Sequence, residues 1–231
     1  MITREELAAK IDHTFLKAAG EFDAVRKLCR EAREYGFACA MVNPCEVKLA
    51  AELLSGSGVR VGTVIGFPLG ANTCDVKVFE AENAARDGAR DIDFVVNIRR
   101  LKESVVDSDT CAKLLDELKL CNRRAKISAG GVVTKLIIEC CYLNDDEKVL
   151  GCRLARKAGF DFVKTSTGFG SGGATVHDVT LIRKTVGSDM GVKAAGGIRT
   201  IDDALLMLSA GADRLGCSAG VEIVSSLCHC A

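Results

Sequence analysis

Proline is nearly absent from the sequence, with only Pro44 and Pro68 among 231 residues, and low-complexity segments and blocks of like charge are missing altogether. Nothing therefore reads as a linker, and residues 1–231 are expected to form one domain. Net charge is lacking too, since Lys and Arg together number 31 and so do Asp and Glu. That balance excludes the basic footprint of a nucleic-acid binder, so an anionic substrate would have to be held by a local site. No run approaches the roughly 18 uncharged apolar residues of a membrane span. The opening residues lack the basic-then-apolar layout of an export signal, and Thr3 with Glu6 fits a helix capping box instead. A soluble cytoplasmic protein is expected, with no membrane partner.

Paired Cys-x-x-Cys motifs are also missing, although there are twelve cysteines. Several (Cys39, Cys140, Cys141, Cys217) lie in apolar runs, where a free thiol behaves as a small hydrophobe. Cys228 and Cys230 stand close together near the C-terminus, but nothing matches zinc-ligand spacing. His13, His177 and His229 share no common spacing either, so no metal is expected. Reduced thiols are expected rather than a disulfide framework.

What is present is a regular alternation. Helix-like stretches at 21–35, 44–54, 75–87, 100–123, 145–157, 176–185 and 200–209 often end at a glycine, as at Gly36, Gly88 and Gly159. Between them lie short apolar runs at 38–43, 59–67, 92–97, 135–142, 160–165, 191–195 and 213–217, with an eighth at 10–14. Such runs suit parallel strands buried on both faces. Eight strand–helix units without a linker predict an α/β fold, a (β/α)₈ TIM barrel with a short N-terminal helix; a doubly wound open sheet is the alternative.

In such a barrel the active site lies at the carboxyl ends of the strands. Three charged residues sit there among apolar neighbours: Asp93, Lys164 and Lys193. Burial depresses a lysine pKa and a second ammonium depresses it further, giving a neutral amine that can attack a carbonyl. A nearby carboxylate could move the protons. Alternatively each lysine points outward onto a helix carboxylate. The pattern alone does not rank Lys164 against Lys193. Glycine-rich turns follow three strands: Thr165 to Gly173 with Gly168, then Gly196-Gly197, then the segment after Gly216 that holds Ser218. Backbone amides there could cradle a phosphate, or the glycines could serve tight turns only. Asp12 and Thr14, ending the first strand, are candidates for substrate hydroxyls. Lys135 and Glu139 share strand parity, which allows an internal ion pair or a place in a proton network. The turn Gly66 to Gly70 could wall the pocket. Redox or metal sensing through the cysteines, and another phosphate-binding barrel enzyme, are the rival readings.

The segments 10–17, 61–72, 91–97, 162–170, 191–199 and 214–220 resemble the deoxyribose-phosphate aldolase family, and the resemblance runs over nearly the whole chain. It implies a metal-independent, cofactor-free class I aldolase that interconverts 2-deoxy-D-ribose 5-phosphate with D-glyceraldehyde 3-phosphate and acetaldehyde. It implies Lys164 as the Schiff-base lysine, Lys193 as the second lysine and Asp93 as the acid/base group. Asp12, Thr14, Lys135 and Thr165 join Gly168, Gly196, Gly197 and Ser218 as expected substrate- or phosphate-binding residues. A homodimer or larger homo-oligomer is expected. Met41, where the family often has cysteine, and Ala219, which lacks a hydroxyl, depart from the pattern.

Overall fold

The computed structural model describes residues 2–227. Cys228, His229 and Cys230 lie outside the described residues. After a short helix α1 (Arg4–Ala8), eight strands close into one parallel barrel in sequence order. They are β1 (Ile11–Phe15), β2 (Cys39–Val42), β3 (Arg60–Ile65), β4 (Asp91–Val95), β5 (Val133–Ile137), β6 (Phe162–Lys164), β7 (Gly191–Ala195) and β8 (Arg214–Cys217). Pairing of β1 with β8 completes the ring, so no sheet edge is left. The helices α2 (Ala24–Tyr35), α3 (Val47–Leu54), α4 (Cys74–Asp87), α5 (Ile98–Glu103), α6 (Ser108–Ser128), α7 (Asp145–Ala158), α8 (Val176–Val186), α9 (Ile201–Ser209) and α10 (Gly220–Ser226) follow the strands. None is long and apolar enough to cross a membrane.

Local chemistry accounts for the element ends. Thr3 with Glu6, Asn144 with Glu147 and Thr200 with Asp203 each form a reciprocal capping box that satisfies orphan amides. The stretch expected as one helix over 100–123 is two, because Asp107 accepts from the Asp109 and Thr110 amides and starts α6 afresh. The run expected as a strand over 135–142 leaves the sheet after Ile137, and Cys140–Tyr142 form a 3₁₀ turn. Residues 128–131, without a reading in the sequence, end α6 and turn into β5, where the Gly131 carbonyl accepts from Arg60 at 2.9 Å.

Outward-facing strand residues such as Ile92, Leu136, Val163, Val192 and Leu215 are buried in the main core cluster with apolar faces of the helices. The barrel interior is divided. Around β2 and β3 it is apolar, with Cys39, Met41 and Val64 packed together and Leu16 over them. A side chain on Gly62 would meet Met41 Sδ at 2.2 Å, so Met41 fills the space that the glycine leaves. Near the strands' amino ends the Phe162 ring covers Gly191, and Lys135 Nζ stands 5.7 Å above that ring. From β4 round to β1 the interior is charged.

Candidate active site

Strand register puts the ionisable residues on neighbouring positions. Asp93 pairs with Lys135 across β4 and β5, and Lys164 pairs with Lys193 across β6 and β7. With a side-chain period of two, these residues and Asp12 all point inward. Asp93 is the hub: its Oδ2 accepts from Lys164 Nζ at 2.9 Å and Lys193 Nζ at 2.8 Å, while its Oδ1 lies 3.2 Å from Lys135 Nζ. Lys193 also binds Asp12 Oδ2 at 2.5 Å, and Asp12 Oδ1 accepts from Arg214 at 2.8 Å. Lys135 binds Asp91, which in turn binds Arg60 at the far end of the barrel.

Charge balance makes Lys164 the exception in this network. Three carboxylates (Asp12, Asp91, Asp93) face four other cations (Arg60, Lys135, Lys193, Arg214) before Lys164 is considered. A fifth positive charge would add to an existing excess, and burial penalises it further. Accordingly, burial first and the Lys193 and Lys135 ammoniums after it lower the Lys164 pKa to about 8, against the opposing pull of Asp93. Lys193 goes the other way: burial would push it down, but Asp12 and Asp93 outweigh that and raise it above an ordinary lysine. Lys135 is likewise raised, by Asp93, Asp91 and Asp12 against burial. Burial works against ionised Asp12, yet Lys193, Lys135 and Arg214 take it down to about 2; Asp93 is held well below the usual range against the same penalty by Lys135, Lys164 and Lys193. The pattern is one readily deprotonated amine among locked ion pairs.

A cavity of about 600 Å³ opens above this network, lined by Lys164, Thr14, Thr167, Gly168, Gly196, Gly197 and Ser218 among others. Lys164 is 3% exposed and borders it, whereas Lys193, Lys135, Asp93 and Asp12 are 0% exposed and lie beneath. Three expected substrate contacts do not line the cavity. Asp12 is engaged by Lys193 and Arg214, and Lys135 is sealed by Asp91 and Asp93. Thr165 hydroxyl bonds both the carbonyl and the amide of Ala195, at 3.2 and 3.1 Å, and so ties β6 to β7 instead of facing the cavity. Thr14 stays at the rim, its hydroxyl donating to the Asp12 carbonyl at 2.8 Å. Gly168, Gly196 and Gly197 all adopt left-handed φ, at 87°, 85° and 83°, and a side chain on Gly168 or Gly197 would enter open space. The backbone is therefore bare where an anion would approach.

The parity inference for Glu139 fails, because the residue lies beyond the end of β5. It adopts φ 57° and ψ 68°, conformationally strained by about 1–3 kcal/mol for a non-glycine residue, and turns its carboxylate to Thr167. The turn 66–70 backs the cavity indirectly: Phe67 packs edge-on against the lining residue Phe169, with centroids 5.1 Å apart. Asp91 and Arg214 were missed as members of the network, although each shares strand parity with a residue singled out or its glycine neighbour. Asp12, Cys39 and Asp91 approach closely enough to suggest a metal site. Both carboxylates, however, already carry cationic side chains, and burial pushes the Cys39 thiol well above its ordinary value, away from the thiolate a metal needs.

The model of the DeoC/LacD family aldolases matches residues 7–226. The chain belongs to this aldolase family. A deoxyribose-phosphate aldolase of Listeria innocua is 54% identical over 221 residues, covering 95% of either chain. One from Thermoanaerobacter pseudethanolicus is 53% identical over 217 residues, 94% of this chain and 95% of the relative. Among solved structures, the tetrameric deoxyribose phosphate aldolase of Aeropyrum pernix superposes with a TM-score of 0.88 at 35% identity, over 99% of this chain and 94% of that one. As an aldolase of this family, the chain is a lyase on a TIM barrel, and Lys164 is the last residue of β6, at the end of the barrel where such chemistry occurs.

Proposed function

We propose that this aldolase cleaves and re-forms 2-deoxy-D-ribose 5-phosphate through a Schiff base on Lys164, with Lys193 and Asp93 moving protons. One observation carries the assignment: of the three lysines in the barrel network, Lys164 alone both borders the cavity and has its pKa lowered. The neutral amine adds to C1 of the open-chain sugar, and loss of water gives an iminium. Removal of the C3 hydroxyl proton then lets the C2–C3 bond break, its electron pair passing into the enamine as glyceraldehyde 3-phosphate departs. Protonation of the enamine carbon and hydrolysis release acetaldehyde and restore the amine. Asp93, bridging Lys164 and Lys193 through one oxygen, can pass a proton between them, and a water entering beside Lys164 would extend that path to the substrate. Gly168, Gly196, Gly197 and Ser218, which all line the cavity, would hold the phosphate; Thr14 would face the sugar hydroxyls. We also propose a homo-oligomer, supported by likeness to the tetrameric Aeropyrum pernix protein and by Leu69, Val76 and Phe79, apolar side chains exposed near one another in sequence.

The test is chemical. Incubation with acetaldehyde and borohydride should leave a two-carbon group on Lys164, read by peptide mass spectrometry, and Lys164→Ala should lose both label and cleavage while remaining folded. Label on Lys193 instead, or none, would overturn the assignment.

A further inference from the structure

Glu139 has no part in the chemistry above, yet it is the one non-glycine residue with positive φ among the described residues, and its side chain is 1% exposed. Left-handed backbone is most easily supplied by glycine, and a buried carboxylate is costly unless its oxygens are used. Both oxygens are used, chiefly on a single residue, with the Cys141 thiol donating to Oε1 at 3.9 Å besides. The Thr167 amide donates to Oε1 and Oε2 at 3.2 and 3.3 Å, and the Thr167 hydroxyl donates to Oε2. That hydroxyl in turn accepts from the Phe169 amide at 3.0 Å, which leaves Gly168 at the crest of a turn whose two flanks are tied.

The rest of the loop is gripped on two sides. A side chain on Gly170 would come 2.7 Å from Cys141 Sγ and 3.3 Å from Glu139 Cδ, and one on Gly173 would come 2.2 Å from the Gly196 carbonyl. The Ala174 amide donates to the Ala195 and Gly196 carbonyls at 3.1 and 3.0 Å. The loop is therefore seated between the turn after β5 and the glycine turn after β7, and Glu139 is the charged contact on the first side. A neutral amide in its place has one oxygen and could not accept from Thr167 through both terminal atoms.

We infer that Glu139 is a positioning residue that sets the Thr167–Gly168 turn for the anionic end of the substrate, and so governs the preference for a phosphorylated over a neutral sugar. This rests on the aldolase reading and on Gly168 facing the phosphate. The Glu139 carboxylate, in the turn after β5, bonds to Thr167 and Cys141 and to none of Lys164, Asp93 and Lys193.

Glu139→Gln keeps the shape and removes the second acceptor oxygen. For that variant KM for 2-deoxyribose 5-phosphate should rise roughly ten-fold, the loss of a charge-assisted hydrogen bond, with kcat held. Inhibition by inorganic phosphate should weaken in parallel, and kcat/KM for unphosphorylated 2-deoxyribose should stay the same. If Glu139→Gln does not fold, Glu139→Gly, whose backbone is relaxed in this conformation, carries the same test. Equal loss on both sugars, or an unchanged KM for the phosphorylated one, would overturn the inference. Acetaldehyde–borohydride labelling separates the two levels. Normal labelling of Lys164 with equal losses overturns the role of Glu139 alone, whereas no labelling in the unsubstituted protein overturns the aldolase reading and this inference with it.

Discussion

Replacing Lys193 by Met removes an ammonium from the site without adding bulk, and the geometry sets the size of the effect. Two amines bound to one Asp93 oxygen at 2.9 and 2.8 Å stand roughly 5 Å apart, where two unit charges repel by about 3 kcal/mol at an effective dielectric constant of ~20. Losing that repulsion favours the Lys164 ammonium, and Asp93, freed of one partner, favours it again. The Lys164 pKa should then climb from about 8 back toward the 10.5 of an ordinary lysine. The amine is the nucleophile and exists above its pKa, so the rising limb of the pH–rate profile moves to higher pH in the variant. At neutral pH the reactive fraction falls roughly a hundred-fold, since each ~1.4 kcal/mol is a factor of ten. Above the new pKa that part of the loss should be recovered. The assay is the initial rate of acetaldehyde–borohydride labelling at Lys164 between neutral and strongly alkaline pH, with circular dichroism to show that the barrel is intact. A variant that is slow by one factor at every pH, its limb still near 8, would refute the reasoning. It would make Lys193 a direct proton carrier whose charge does not tune its neighbour.

Away from the site, Lys77 is buried on α4 and pairs with Glu117 of α6 at 2.9 Å, and Arg100 holds the other oxygen of Glu117 at 3.0 Å. Glu117→Ala strands the buried ammonium and should destabilise the protein by about 3–5 kcal/mol in urea unfolding, with Lys164 labelling per folded molecule unchanged. A loss below ~1 kcal/mol would show the pair to be dispensable. For the proposed self-association, light scattering should give a multiple of the 24.5 kDa chain mass, and a monomer at micromolar concentration would contradict it.

The barrel was legible because its strands are short, largely apolar runs interrupted by single charges and its helices end at turn-forming residues. Where the reading slipped, composition and conformation parted. Ile138 and Cys140 look like strand but pack into the core from beyond the last ladder position, so β5 ends earlier than its apolar run. Asp107 splits a stretch of good helix formers, a cap hidden inside a polar run. Lys164, Lys193 and Asp93 could be found as charges out of place in buried strands. Pattern did not rank the two lysines and the family resemblance did; the physical reason, that Lys164 borders the cavity while Lys193 lies under two carboxylates, needed the third dimension. Asp12 and Lys135 illustrate the same limit, since inward direction is set by parity but depth within the barrel is set by strand stagger. Glu139 was visible as a residue and not as a conformation, because nothing in Ile138-Glu139-Cys140 announces a left-handed backbone.

The unequal treatment of the three barrel lysines bears on how a protein survives its own substrates. Aldehydes modify any free amine they can reach, and a catalyst working among them is under constant chemical assault. Lys135 and Lys193 are kept charged and sealed behind carboxylates, while Lys164 gives up its proton more readily and borders the cavity. On the proposed assignment, the barrel lysine offered to a reactive carbonyl is thus the one whose adduct the neighbouring groups can take apart, so that there damage and turnover become the same event.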